Sequence, residues 1–498
     1  MNLLAISRYA PPQLTPQAIQ VARLLYHLDA RVTLLHAPDA QPDAGAGFDQ
    51  YPNFYRRVAA LEVADPGPPL KGVWHRAALR ALPLYGACPD LLGPWRRAAC
   101  RAALDHIAAH RPDALASFGM PMSDHLLGLT LKRRTGLPWL AHFSDPWADN
   151  PFHKTTPLEH QVNLALERRV LAQADQVLFT SARTLDLVMG KYPPAWRSRA
   201  AVLPHAWDTE NFATPLAHQA TAAPRGLPAR HVIRHIGACY GARSPEPLFA
   251  ALARIHRATP RQLDGVAFEL VGPIAPAFLA SPAFKSLPPG LVTRRPQVSY
   301  RSALALARDA SALLVIDAPS AADSVFLPSK LIDYIGARRP IWAITPPGTC
   351  ASLVAEWTGG AHTCANPADP ATVAAMLAAN IDGLDCQPGC YGPDHVALRY
   401  APARVAQSLK QYLRHAIGRR ARAELAVTGP EPDAPSSPLS PLSPLSPLSA
   451  PSRMSAPSPP PPPSPPSPPS PPPPPPPLPP LPPMAPLSPM PAPPPSPP

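Results

Sequence analysis

A formal charge of +12 over 498 residues, with 46% hydrophobic and 16% charged side chains, leaves ample apolar material for two cores. No Lys/Arg run interleaved with aromatics marks a nucleic-acid surface, so the basic balance points to phosphorylated substrates or an anionic membrane, with no nucleic-acid partner expected. From Gly429 onward the sequence is almost entirely Pro, Ser, Leu and Ala. Such a segment cannot offset its ordering entropy, so 429–498 is expected to be a disordered, polyproline-rich tail.

In chain order, Leu3–Ile6 reads as a buried strand, and Ala18, Val21, Ala22, Leu25 and Leu28 give one apolar helix face. Val32–Leu35 is the next strand. Residues 38–92 read as irregular with helical pieces, and a basic helix begins near Trp95. Ala114–Ser117, Trp139–Phe143, Val177–Thr180 and Ala201–Leu203 read as strands, with helices at Ser123–Arg134 and Pro157–Ala172. A Pro/Ala-rich stretch at 213–229 reads as a linker, after which the pattern restarts. His231–Ile236, Phe268–Val271, Ala312–Ile316 and Ile341–Ile344 are strands with helical patterns behind them, and Ala403–Ile417 is a last helix able to return across the gap. Repeated strand–helix units predict an α/β chain of two Rossmann-like domains, 1–212 and 230–428, with a ligand between them at the carboxyl ends of the strands.

The seven cysteines are scattered and odd in number, which fits reduced thiols and a cytoplasmic chain. Only Cys386 and Cys390 are close, without a second pair to complete a zinc site. The opening Met1–Ser7 has no basic n-region and too short an apolar run for a signal peptide. No window reaches a membrane span. The basic helix from Trp95 to Arg101 reads either as a solvated face or as a contact with the inner face of the cell membrane.

Three segments carry chemistry. Gly237 follows a strand and permits close backbone approach by a ligand, and Arg243, just before a helix, can fork onto phosphate oxygens. Alone, they also read as a turn glycine and a surface arginine. In Asp323–Pro340, Pro328 suits a helix start, whose free N–H groups seat an anion. Lys330 adds a charge to that turn, and Asp333, three residues on, shares its face. A phosphorylated sugar fits that pair, as does a plain exposed ion pair. In the first domain, a strand delivers His142 and Ser144 to one side, with Asp145 at its carboxyl end. His142 can orient a hydroxyl or shuttle a proton, or be a core histidine, and Asp145 before Pro146 also suits a turn.

Residues 1–415 resemble bacterial glycosyltransferases of the family-4 type, which have the GT-B fold. Tyr9–Pro12, Phe118–His125, Gly136–Trp147, Glu167–Ser181 and Val202–Asp208 with Phe212 resemble, in order, that family's segments. The resemblance implies transfer of a sugar from a nucleotide-sugar to an acceptor hydroxyl with retention, in polysaccharide or lipid-linked glycan assembly, without a cofactor or metal. It implies that Gly237, Arg243 and Lys330 meet the donor diphosphate and Asp333 the ribose, with His142 and Asp145 as catalytic candidates. The sequence departs from the family at Val325, where a glutamate is usual, at Ser144, where a histidine is usual, and at Gln13–Pro16, where paired glycines are usual. A non-catalytic GT-B protein binding a sugar-nucleotide or a partner, or a sugar-nucleotide epimerase, are the alternatives.

Overall fold

Short strands that are apolar on both faces need helices above and below them, and they pair in parallel. In the computed structural model the described residues are 1–13, 15–38, 53–68, 70–82, 84–85, 90–153, 155–208, 212, 230–320, 322–386 and 391–428. The linker at 213–229 and the tail from Gly429 lie outside them.

Within the described residues there are two all-parallel sheets. The first holds β1 (Asn2–Ile6), β2 (Arg31–His36), β3 (Val58–Glu62), β4 (Ala114–Gly119), β5 (Trp139–Phe143), β6 (Gln176–Phe179) and β7 (Ala200–Val202), in the order β3-β2-β1-β4-β5-β6-β7. The second holds β8 (His231–Ile236), β9 (Val266–Val271), β10 (Val292–Arg295), β11 (Ala312–Ile316), β12 (Ile341–Ile344) and β13 (Cys364–Ala365), in the order β10-β9-β8-β11-β12-β13. Each order reverses once, between β1 and β4 and between β8 and β11. In doubly wound sheets a crevice for ligands opens at such a reversal. Both sheets belong to one compact unit.

The strands that sequence reading passes over are edge or near-edge ones. β3 is half exposed, β10 reads Val-Thr-Arg-Arg, and β13 has only two residues. None buries two faces, so none shows an uninterrupted apolar run.

The helix Pro402–Thr428 extends further than the apolar pattern indicates. Val405, Leu409 and Leu413 pack into the first sheet's core beside Leu34, Ala116 and Leu178, so the chain ends its described part on the domain where it began. The helix Gly93–His110 turns Trp95, Ala99 and Ala103 inward, and Trp95 Nε1 donates to the Val63 carbonyl at 3.2 Å. Its tryptophan is therefore unavailable to a membrane.

Candidate active site

A cleft of about 1050 Å³ opens between the carboxyl ends of the two sheets. Of the residues that the sequence singles out, Gly237, Arg243, Lys330 and Asp333 line it from the second sheet and Asp145 from the first, with Ser144 beside it. His142 does not line it.

On the second wall, β8 runs into Gly237 at φ +146°, and a Cβ there would lie 2.6 Å from Lys330 Nζ. A glycine here lets the Lys330 ammonium lie directly against the backbone; a Cβ would make the flexible lysine end shift. Lys330 belongs to the first turn of the helix Ser329–Ala337, whose N-terminus carries no side-chain cap. The helix starts one residue later than the proline pattern suggests, with Pro328 as its N-cap. Lys330 Nζ lies 3.3 Å from His235 Nε2. The other His235 ring nitrogen, Nδ1, is 2.9 Å from the Leu314 carbonyl. Burial, then Lys330 nearby, push His235 well below the usual histidine range, so it stays neutral beneath the ammonium. Burial, then Arg243, push Lys330 down to about 8.

Arg243 follows a turn whose Gly241 has φ +57°. Its Nη2 is 3.6 Å from Asp317 Oδ1, and its buried Nε has no hydrogen-bond partner among the described residues. Two cations, a glycine approach and an open helix N-terminus thus converge on one part of the cleft. That combination suits a diphosphate.

Asp333 is placed otherwise than a free ribose-binding carboxylate. Its Oδ1 accepts from Arg23 Nη2 at 2.7 Å, and Arg23 comes from the helix Pro16–Tyr26 of the first sheet's half. Arg23 also donates to the Ala206 carbonyl and reaches the Tyr300 hydroxyl, and its guanidinium lies 5.3 Å from the Tyr300 ring centroid. Burial raises Asp333 to about 6, with Arg23 as the main opposing influence. Arg23 thus bridges the two halves through a fully buried guanidinium.

The loop before that helix forms a second joint. The Val325 carbonyl accepts from Ser181 Oγ at 2.8 Å, Thr184 Oγ1 at 3.0 Å and Thr349 Oγ1 at 3.1 Å. Arg183 and Asp323 pair at 2.5 Å, and the Phe152 and Phe326 rings stack 4.4 Å apart. Where the family's glutamate would stand, this chain ties its second half to the first through a backbone carbonyl.

The first wall holds its ionisable groups differently. Burial raises Asp145 to about 6, with Arg243 pulling the other way. The Ser144 hydroxyl donates to Gln17 Oε1 at 2.9 Å. His142 lies under this surface, with Nε2 3.3 Å from the Leu203 carbonyl and Nδ1 without a partner among the described residues. Burial lowers His142 to about 4 and His205, which lines the cleft, to about 3. Both stay neutral at ordinary pH. Among the described residues no group of three His, Cys, Asp or Glu side chains could together hold a metal ion.

Sequence reading misses Arg23, Tyr300, Phe152, Phe326, His205 and His235. Their partners lie far away in the chain or on an opposed loop, so no local spacing announces them. The one available signal is the alternation in β8, which places His235 two residues before Gly237.

Two facing, doubly wound parallel sheets with a cleft at their carboxyl ends define the GT-B fold. Residues 14–206 match the glycosyl transferase 4-like domain family, and the chain resembles glycosyltransferases of the family-4 type. None of the curated proteins matches the sequence. Among solved structures, the Anabaena protein HepE, in complex with UDP-glucose, is similar at 14% identity over 86% of this chain and 100% of that one, with a TM-score of 0.51. An α,α-trehalose-phosphate synthase (UDP-forming) from Burkholderia xenovorans, in complex with glucose-6-phosphate, is similar at 14% identity over 83% and 99%, with a TM-score of 0.52. The lipopolysaccharide outer core galactosyltransferase WaaB is similar at 12% identity over 83% and 99%, with a TM-score of 0.50. At these identities the likeness is one of fold.

Proposed function

We propose that the chain is a retaining glycosyltransferase that moves a sugar from a nucleotide-sugar to a hydroxyl of a glycan or lipid-linked acceptor. The observation that carries this reading is the convergence of Gly237, Arg243, Lys330 and the helix N-terminus at Ser329 on one part of the cleft. The bound UDP-glucose of the HepE structure supports a nucleotide-sugar as the donor class.

In the reaction the bond between the anomeric carbon and the diphosphate oxygen breaks, and a bond to the acceptor oxygen forms. The nucleoside diphosphate leaves with the bonding pair, and the acceptor's proton is released. Lys330, Arg243 and the helix N-terminus stabilise the charge that develops on the leaving diphosphate, so the reading requires no metal ion. Asp145 is the group on the opposite wall able to take the acceptor's proton, since burial raises it to about 6. His142 does not reach the cleft and packs beneath it against the Phe118 ring, so it takes no part in the proton transfer of this reading. Asp333 serves the ribose end together with its partner Arg23.

A thermal-shift screen against nucleoside diphosphates and nucleotide-sugars tests the site, because tight binding raises the midpoint by mass action. At least one nucleotide is expected to raise it, and the Lys330→Ala variant to abolish the rise. Silence across the whole panel overturns the reading. Anomeric analysis of a transferred product by NMR then tests retention.

A second reading, a non-catalytic sugar-nucleotide binder, is favoured by the Val325 joint, which places a tied carbonyl where a sugar-side carboxylate would act. Donor consumption in an acceptor screen excludes it.

A further inference from the structure

We propose that a second cavity, beside the Val325 joint, binds the phosphate group of a small anion, free or as an ester. This cavity holds about 500 Å³ and is walled by both halves of the molecule. Ser181 and Thr349, which hold the Val325 carbonyl, belong to its wall, and Leu327 lines both it and the larger cleft. Neither Lys330 nor Asp145 reaches it, so it is separate from the donor and acceptor groups described above.

The sign of the wall selects the ligand. Three helices begin here, Ala182–Met189, Thr349–Thr358 and Pro402–Thr428, and none has an acid in its first turn. Two of those first turns carry an arginine instead, Arg183 and Arg404, both in the cavity wall. A cation at that end of a helix opposes the macrodipole, so the two positive sources add. Arg399 brings a third guanidinium, against Glu356 as the one carboxylate lining the cavity among the described residues. Arg183 pairs with Asp323 and Arg399 with Glu356, while Arg404 makes no ion pair among the described residues. Guanidinium forks match phosphate oxygens, and open helix starts favour the same anion.

Tyr400 points the same way independently of charge. It lines the cavity at 7% exposure, and its hydroxyl has no hydrogen-bond partner among the described residues. Buried hydroxyls are normally paired. Burial raises its pKa, with Arg399 pulling the other way, so it remains a donor at ordinary pH. A phosphate oxygen held by the arginines is the acceptor it lacks. Leu203 and Leu353 add apolar wall, which leaves room for a sugar-sized body beyond the phosphate. Such a ligand would touch Arg183 of the first half, the Thr349 helix start of the second, and Arg404 of the returning helix. The site stands without the transfer reading.

Calorimetry of the full chain with inorganic phosphate, ribose-5-phosphate and unphosphorylated ribose tests the proposal. Both phosphates are expected to bind and ribose to give no heat. Arg404→Glu should weaken the binding at least tenfold, because it reverses an exposed charge in the wall. Tyr400→Phe, which keeps the ring, should weaken it about threefold. Lys330→Ala, in the larger cleft, should leave it within about twofold, and Arg404→Glu should keep the thermal shift with nucleotide. Ribose-5-phosphate binding tighter than inorganic phosphate identifies the occupant as a phosphorylated sugar, and equal affinity identifies it as free phosphate. No binding of either phosphate, or binding that Arg404→Glu leaves intact, overturns the proposal. Binding lost in Lys330→Ala overturns it too, because the phosphate would then sit in the donor cleft. A panel of nucleotides without effect, beside phosphate binding that depends on Arg404, would sink the donor reading and leave this site standing.

Discussion

On the second-sheet wall of the cleft, Arg243 and Lys330 bring positive charge to the surface, with a neutral His235 beneath them. On the first-sheet wall, burial keeps His142 and His205 neutral and draws Asp145 up to about 6. The two walls share one topology, so the difference lies in what their loops carry. Cations with open N–H groups suit a leaving diphosphate that gains a further negative charge as its bond to the sugar breaks. Uncharged groups and one weakly acidic carboxyl suit a hydroxyl acceptor, which gains nothing from fixed charge and has only a proton to lose.

The largest expected effect falls on the joint between the walls. Arg23→Leu leaves Asp333 buried without its partner, which should cost about 3–5 kcal/mol of unfolding free energy in urea melts. The double change Arg23→Leu/Asp333→Leu should recover part of that loss, because no unpaired charge is left behind. The sign of the pH dependence follows from Asp333. Its pKa in the fold, about 6, lies above its ordinary 3.8, so the fold binds that proton more tightly than the unfolded chain does. Its contribution therefore falls as pH rises from about 4 to about 6. Arg23→Leu should deepen that fall, since the guanidinium is what holds the carboxyl down. Equal stability of wild type and Arg23→Leu at pH 7 would show that the joint carries no weight.

Next comes the test that most directly breaks the contrast between the walls. Lys330→Ala should lower donor turnover by roughly 10²–10³, the usual cost of one preorganised donor to a developing anion. Asp145→Asn should lower turnover as well, yet leave nucleoside diphosphate affinity within about twofold by calorimetry, because it removes no phosphate contact. A comparable loss of diphosphate affinity in both variants would mean that the walls do not divide the work.

How much of this was legible in the sequence follows the range of the interactions. Both sheets show in the apolar runs of their central strands, since residues such as Leu4–Ile6 and Ala312–Ile316 must be apolar on both faces. The edge strands β3, β10 and β13 do not show, because one face or less is buried. Gly237, Arg243, Lys330 and Asp145 stand at strand ends and helix starts, positions that local pattern picks out, although by themselves they fit a turn glycine, a surface arginine, an exposed ion pair and a plain turn equally well. The Arg23–Asp333 pair spans 310 residues, and an arginine within an apolar helix pattern looks like a solvated one until the partner is seen. The Val325 joint is hidden for another reason: it is made by a backbone carbonyl, which no side-chain pattern encodes. The helix near Trp95 misleads because a basic, tryptophan-bearing pattern fits a surface helix and a half-buried one equally well.

A smaller effect follows from the Lys330 ammonium, which burial brings down to about 8. Nucleoside diphosphate affinity measured by calorimetry should be flat from pH 6.5 to about 7.5 and then fall, by about tenfold at pH 9. The fall follows the loss of charge as the ammonium deprotonates. Lys330→Arg should remove it, because a guanidinium stays protonated across that range. A decline that persists unchanged in Lys330→Arg would assign the titration to another group.

The finest distinction concerns Gly237. A Cβ at that position would meet Lys330 Nζ at 2.6 Å, and φ +146° is a conformation that L side chains rarely adopt. Two costs therefore act together, one on the backbone turn and one on the ammonium. Nζ is the end of a flexible chain and can swing aside, so Gly237→Ala should displace the charge rather than abolish it. The expected outcome is a rise in donor KM of about three- to tenfold with a smaller change in kcat, well short of the Lys330→Ala effect. If instead Gly237→Ala matches Lys330→Ala, the glycine's own approach to the phosphates outweighs the lysine, and the cationic wall is backbone first and side chain second.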